Sequence, residues 1–211
     1  MLKLLSATPS PYARKVRIAL AEKVIPFELM TENPWNSDAS TPSLNPLGKL
    51  PVLLLEDGST VYESSYILEW LEVHYPDPPL VPTDPHQRLA ARRIEVLADG
   101  VCDAIVLSLM EGLRAREQRS QPWRERQARK IEGGLAAVAR LVPREGFCIG
   151  GTFGLADLSA GTMLGYLSGR YAQLDWRGQY PHLAAFHDRL LARPSFRDTQ
   201  PVPQQMEPGV V

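Results

Sequence analysis

Ser10 stands immediately before Pro11, where the spacing of Tyr12, Val16, Ala19 and Leu20 begins to trace one face of a helix. Serine followed by proline is an ordinary helix start: the serine oxygen caps a free amide and the proline fills a position whose N–H would go unused. The same placement can also do chemistry. A hydroxyl at the positive end of a helix can donate a hydrogen bond to a thiolate, an anion the helix dipole also favours. A thiol of pKa about 8.5 is only a few per cent ionised at neutral pH. A charge-assisted hydrogen bond of about 1.5–3 kcal/mol lowers that pKa by about one to two units, enough to make the thiolate a major species. Thr8, two positions earlier in the same turn, is the rival hydroxyl and ranks below Ser10. Tyr12 follows the proline inside the helix and is poorly placed as a phenolic donor.

Two further stretches carry candidate groups. Glu63-Ser64 opens another helix, whose free N–H groups and serine hydroxyl suit a carboxylate while the neighbouring acid suits an ammonium. The plain alternative is a cap beside a solvent-facing acid. Asn45-Pro46-Leu47-Gly48-Lys49-Leu50-Pro51 offers one cation, Lys49, placed either toward a ligand or in solvent. Asp99 and Asp103 lie one helical turn apart and read best as ordinary ion-pairing residues. Cys102 and Cys148 lack CxxC or Cys/His spacing, and His74, His86, His182 and His187 lack metalloprotease spacing, so no metal is expected and both thiols are expected free and buried.

A net charge of −1 with 22% charged residues provides no basic stripe for nucleic acid. Apolar runs such as Leu50 to Leu55 are far shorter than the roughly 18 residues of a membrane span. The first residues lack a secretory apolar stretch, so a cytoplasmic protein is expected.

The elements that must position these groups can be read in order. Leu2 to Ser6 is a short strand stopped by a turn containing Thr8, Pro9 and Ser10; a helix follows from Tyr12, and Pro26 to Met30 is a second strand. Such a unit is right-handed with parallel strands. After a polar loop from Thr31 to Ser43, Pro51 to Leu55 and Thr60 to Tyr62 form an antiparallel pair around Asp57-Gly58, and a helix runs from Ser64 to His74. This α/β order, βαβ-ββα, resembles the thioredoxin fold. Prolines 76, 78, 79, 82 and 85 mark a boundary, giving a thioredoxin-like domain over 1–80 and an all-helical bundle over 81–211. In the second domain Ala90, Ile94, Leu97, Val101, Ile105 and Leu109 trace one stripe of a helix of some thirty residues, and Ile131, Leu135, Val138 and Val142 another. Further helices are expected near Leu155 to Arg170 and Pro181 to Leu191, with a loose proline-rich tail from about Thr199.

Ser10-Pro11-Tyr12-Ala13-Arg14-Lys15, Asn45 to Pro51 and Glu63-Ser64, placed after strand one, before strand three and after strand four, together resemble the N-terminal domain of the glutathione S-transferases. The likeness is to a bacterial, serine-type member with zeta-, theta- or omega-like features. It implies Ser10 as the catalytic hydroxyl on the glutathione thiolate and a cis bond between Leu50 and Pro51. The Leu50 backbone would then pair with the cysteinyl part, Lys49 and Asn36 or Trp35 would lie at the glycyl end, and Glu63 and Ser64 at the γ-glutamyl end. It implies glutathione as cosubstrate with no other cofactor, a small hydrophobic electrophile near Tyr12, Met110 or Tyr166, a homodimer, and a detoxifying role. The serine sets position 10 apart from the cysteine-type members that exchange disulfides. Arg17-Ile18-Ala19-Leu20 also resembles zeta-type isomerases, though their Ser-Ser-Cys signature is missing; a noncatalytic interaction module is the third alternative. Phe153-Gly154-Leu155-Ala156-Asp157 resembles the family's buried helix start, with glycine replacing the usual hydroxyl cap; Asp157 is read as a folding element.

Overall fold

The order of strands in the computed structural model, which describes residues 1–205, is β2-β1-β3-β4 in a single mixed sheet. β1 (Leu2–Ser6) is central and pairs in parallel with β2 (Phe27–Thr31) through α1 (Pro11–Glu22). β3 (Val52–Leu54) runs antiparallel to β1, and β4 (Thr60–Tyr62) antiparallel to β3. The strands begin one residue later than the apolar runs suggest, because Pro26 and Pro51 have no N–H to give to a ladder. Gly58, at φ 85°, makes the expected Asp-Gly turn, with the Leu55 N–H donating to the Ser59 carbonyl at 2.9 Å. Inside the polar loop a single helical turn, α2 (Thr41–Leu44), was not foreseen. α3 (Ser64–His74) closes the thioredoxin-like arrangement and packs beside α1.

The described chain falls into two compact units, the first holding Met1–Leu80 together with the chain from Pro194 onward, the second Val81–Arg193. The first unit has Val16, Ile18, Ala19 and Leu20 of α1 and Ile67, Leu68 and Leu71 of α3 in its core. A separate cluster of Leu5, Ala7, Leu50 and Val52, flanked by Met30, Leu44, Leu54 and Tyr62, lies at the end of the sheet from which the candidate loops emerge. Lys23, at the end of α1, is buried; its Nζ donates to the carbonyls of Tyr75 and Pro78 at 2.8 Å each and pairs with Glu72 at 2.7 Å.

The second unit is helical: α4 (Pro85–Leu113), a 3-10 turn at Arg116–Gln118, α5 (Gln121–Leu141), α6 (Leu155–Arg170), α7 (Trp176–Gln179) and α8 (Pro181–Leu191). α4 packs on α5 and α6, and α6 on α8. The buried face of α4 is rotated from the expected stripe. Ile94, Val101 and Ile105 are in it, but so are Ala91, Ala98, Cys102 and Ala104, while Ala90 is exposed and Leu97 and Leu109 are half-buried. Small side chains let neighbouring helices approach: a Cβ on Gly134 of α5 would stand 2.4 Å from Val101 Cγ2.

The C-terminal segment corrects the expected assignment of everything after residue 81 to the helical domain. α9 (Pro194–Arg197) packs on α1 within the first unit. The Arg14 guanidinium lies over the Phe196 ring at 5.6 Å and donates to the Phe196 carbonyl at 3.1 Å and to Thr199 Oγ1 at 3.4 Å. Burial, with a smaller contribution from the Arg17 charge, pushes Arg14 down to about 10. The tail expected to be loose is held at several points through Gln205; Met206 to Val211 lie outside the described residues.

Candidate functional site

The strand registers bring the candidate segments to one end of the sheet. Ser6 at the end of β1 is beside Thr31 at the end of β2, Leu5 is opposite Val52 at the start of β3, and Val52 is opposite Tyr62 at the end of β4. The turn 7–10, the loop 32–40, the loop 45–51 and Glu63-Ser64 therefore all emerge at the same sheet end.

Ser10 is the N-cap of α1, with extended backbone, and its Oγ accepts a hydrogen bond from the Ala13 N–H at 3.2 Å. Capping uses a lone pair on the oxygen. The hydroxyl hydrogen finds no acceptor among the described residues, so cap and donor are compatible roles for one side chain. Thr8 differs, since its Oγ1 donates to the Val202 carbonyl at 2.9 Å.

The Leu50–Pro51 bond is cis, as expected, and a second cis bond, Asp77–Pro78, was not anticipated. Leu50 is buried in the cluster with Ala7, while its backbone polar groups make no hydrogen bond to the described residues. The loop before it is shaped by Asn45, which is 1% exposed: its Oδ1 accepts from the Leu47 N–H at 2.9 Å and its Nδ2 donates to the Lys49 carbonyl at 2.7 Å. Asparagine bonded to backbone two residues on is a recognised turn signal, and it was present in the sequence. Gly48 takes φ 60° in the same turn. Lys49 is exposed and has no ion pair among the described residues.

Glu63 adopts φ 74°, a conformation that costs a non-glycine residue about 1–3 kcal/mol and tends to persist at functional sites. Its carboxylate accepts from the Ser65 N–H and from Ser64 Oγ, each at 3.1 Å. Ser64 is 1% exposed, so its hydroxyl is committed to Glu63 and must turn to meet a ligand carboxylate. Asn36 sits in the loop after β2, its N–H bonded to the Asn33 carbonyl at 3.1 Å, and Trp35 is exposed beside it. That loop is organised by two residues the sequence did not single out. Glu32 accepts from the N–H groups of Ser40 at 2.7 Å and Thr41 at 2.8 Å and from both hydroxyls. Partial burial raises its carboxyl, but these bonds outweigh it and hold the group below its ordinary value. Asn33 is the second: Oδ1 accepts from the Trp35 N–H at 3.1 Å, and Nδ2 donates to the Gln205 carbonyl at 2.6 Å.

In the second unit, Tyr166 is 6% exposed, and burial, then the nearby Cys102, push its hydroxyl up to about 12 against an opposing Arg170. It is a core residue. Met110, in that unit, and Tyr12, in the first, are half-buried. Cys102 is buried as expected, but Cys148 is only half-buried; both are free, and burial and then Asp157 push the Cys148 thiol upward. Asp157 is 1% exposed and accepts from the N–H groups of Cys148 at 2.7 Å and Gly154 at 3.0 Å, replacing the missing hydroxyl cap at the start of α6. Among the described residues no helix is long and apolar enough to cross a membrane.

Family models for the glutathione S-transferase N-terminal and C-terminal domains match residues 9–74 and 121–189. The GST-like protein YibF of Escherichia coli is 37% identical over 95% of this chain and 98% of its own length. A maleylacetoacetate isomerase of Pseudomonas aeruginosa is 31% identical over 99% of this chain and all (100%) of its own. A glutathione S-transferase of Methylobacterium radiotolerans, solved in complex with glutathione sulfonate, superposes with a TM-score of 0.97 at 60% identity, covering 100% of this chain and 99% of that one. With both domain models matched and such relatives aligned along nearly its whole length, the chain belongs to the glutathione S-transferase family.

Proposed function

We propose that this chain is a glutathione transferase in which Ser10 donates its hydroxyl hydrogen to the thiolate of bound glutathione for addition to a small hydrophobic electrophile. The observation that carries the reading is the division of labour at Ser10, whose oxygen caps α1 while its hydrogen is uncommitted. In this reading the Leu50 backbone pairs with the cysteinyl moiety, Glu63 and Ser64 receive the γ-glutamyl ammonium and carboxylate, and Lys49 and Asn36 lie at the glycyl end. The glutathione sulfonate complex of the Methylobacterium relative supports the choice of ligand. The enzyme works as a cytoplasmic homodimer, with glutathione as its only cosubstrate besides the electrophile.

The test is a calorimetric titration with glutathione, using glutathione disulfide as control, followed by assay with chlorodinitrobenzene. Micromolar to low-millimolar binding and conjugation are expected. Absence of binding would overturn the enzyme reading and favour a noncatalytic interaction module. A second reading, a glutathione-dependent isomerase, draws on the Pseudomonas relative. Against it, this chain carries Thr8-Pro9-Ser10 in place of a Ser-Ser-Cys signature. Turnover of a maleyl ketoacid well above that of chlorodinitrobenzene would decide for it.

A further inference from the structure

The candidate thiol site contains two hydroxyls in one turn, Thr8 and Ser10, and both could reach for the same anion. Only one is uncommitted. The Thr8 hydrogen is taken by the Val202 carbonyl at 2.9 Å, from a segment more than 190 residues away along the chain (sequence separation 194). Three positions further on, the Gln205 carbonyl receives the Asn33 amide at 2.6 Å, and the other end of that amide holds the Trp35 N–H. The segment that supplies these carbonyls has a fixed base. Thr199 is 7% exposed, its hydroxyl donates to the Ser195 carbonyl at 2.6 Å, and the buried Arg14 of α1 holds the Phe196 carbonyl at 3.1 Å. From that base, residues 201–205 cross from the turn that carries Ser10 to the loop that carries Asn36.

We infer that residues 201–205 form a strap over the thiol-site end of the sheet, and that Thr8 and Asn33 are positioning residues that fasten it. The strap has two effects. It withdraws Thr8 from competition for the thiolate, leaving Ser10 as the donor, and it holds the 7–10 turn and the 32–40 loop in one fixed arrangement for glutathione. Both fastenings end on backbone carbonyls, so they depend on the path of the segment and not on its side chains.

The catalytic half of this inference rests on the glutathione reading; the fastening does not. Removing one hydrogen bond of about 0.5–1.5 kcal/mol corresponds to roughly two- to tenfold in affinity. Thr8→Val and Asn33→Ala are each expected to raise KM for glutathione by about that factor, leaving kcat and the pKa of the bound thiol, read from thiolate absorbance, unchanged. Thr8→Ser, which keeps the donor, should behave as the parent. In the unliganded protein each variant should speed amide hydrogen exchange at the far fastening: Thr8→Val at Trp35 and Asn36, and Asn33→Ala at Ser10. Thr8→Val raising the thiol pKa as Ser10→Ala does would overturn the assignment and make Thr8 the donor. Unchanged exchange in both variants would overturn the strap, whether or not the protein binds glutathione.

Discussion

Ser10 splits its hydrogen-bonding capacity, lone pair to the Ala13 N–H and hydrogen to solvent or ligand, so its loss should register in two separable measurements. Ser10→Ala removes a helix cap, costing about 1 kcal/mol in denaturant unfolding. In the proposed function it also removes a donor to the thiolate, which should cut conjugation by roughly 10–100-fold while glutathione affinity stays within a few-fold. Unchanged turnover alongside the stability loss would reduce Ser10 to a cap. At this scale the sequence was informative where residue type dictates a local geometry. Ser-Pro announced a helix start; Asn45 carried a turn signal that was not used. It was silent where the backbone conformation contradicts residue type, as at Glu63, since nothing about a glutamate signals φ 74°. It was silent also on partners distant along the chain, such as Asn33 with Gln205.

The elements themselves were legible because their boundaries are set by local chemistry. α3, α6 and α8 begin and end at the expected residues, each bounded by a proline, a cap or a change of periodicity. The four-residue turns α2, α7 and α9 were missed, being too short to show an apolar period. The face of α4 was misjudged because its contacts use alanines and Cys102, which a stripe of larger apolar residues overlooks. Two carboxylates that shape element starts respond to pH in opposite directions. Glu32, held below its ordinary value, stabilises the start of α2 above the usual carboxylate range, and that stabilisation is lost as pH falls through the lowered value. Amide shifts of Ser40 and Thr41 should titrate together below the ordinary glutamate midpoint. Asp157 is raised by burial, against opposing bonds from Cys148 and Gly154. Its contribution is therefore full below the ordinary aspartate value and declines as pH rises through the raised one. Asp157→Asn, which keeps one of the two acceptors and cannot titrate, should abolish that decline with pH. Asp157→Ala should instead lose about 1–3 kcal/mol at neutral pH, because two buried amides lose their acceptor, with glutathione affinity nearly unchanged.

At the scale of the whole molecule, the chain passes from one compact unit to the other after Leu80, within the proline cluster, and returns after Arg193, where nothing in the sequence marks the return. The returning segment has little apolar patterning of its own, and its fastenings use carbonyls that every residue possesses. The stretch leading to the boundary is tied back by Lys23, whose ammonium meets Glu72 and the carbonyls of Tyr75 and Pro78 in a buried site. Lys23→Met should cost about 1–3 kcal/mol in thermal or denaturant unfolding, since it leaves the partly buried Glu72 carboxylate without its counter-ion and two carbonyls without their donor. The return of the chain also bears on the order of biosynthesis. The helical unit is one continuous stretch, Val81–Arg193, and every residue it needs is synthesised before the returning segment that begins at Pro194. The first unit, though translated first, waits for residues 196–202 before Arg14 gains its cover and Thr8 its acceptor. The N-terminal unit is thus the last to be completed, and a gene fragment ending at the proline linker encodes it without the segment that covers Arg14 and receives Thr8.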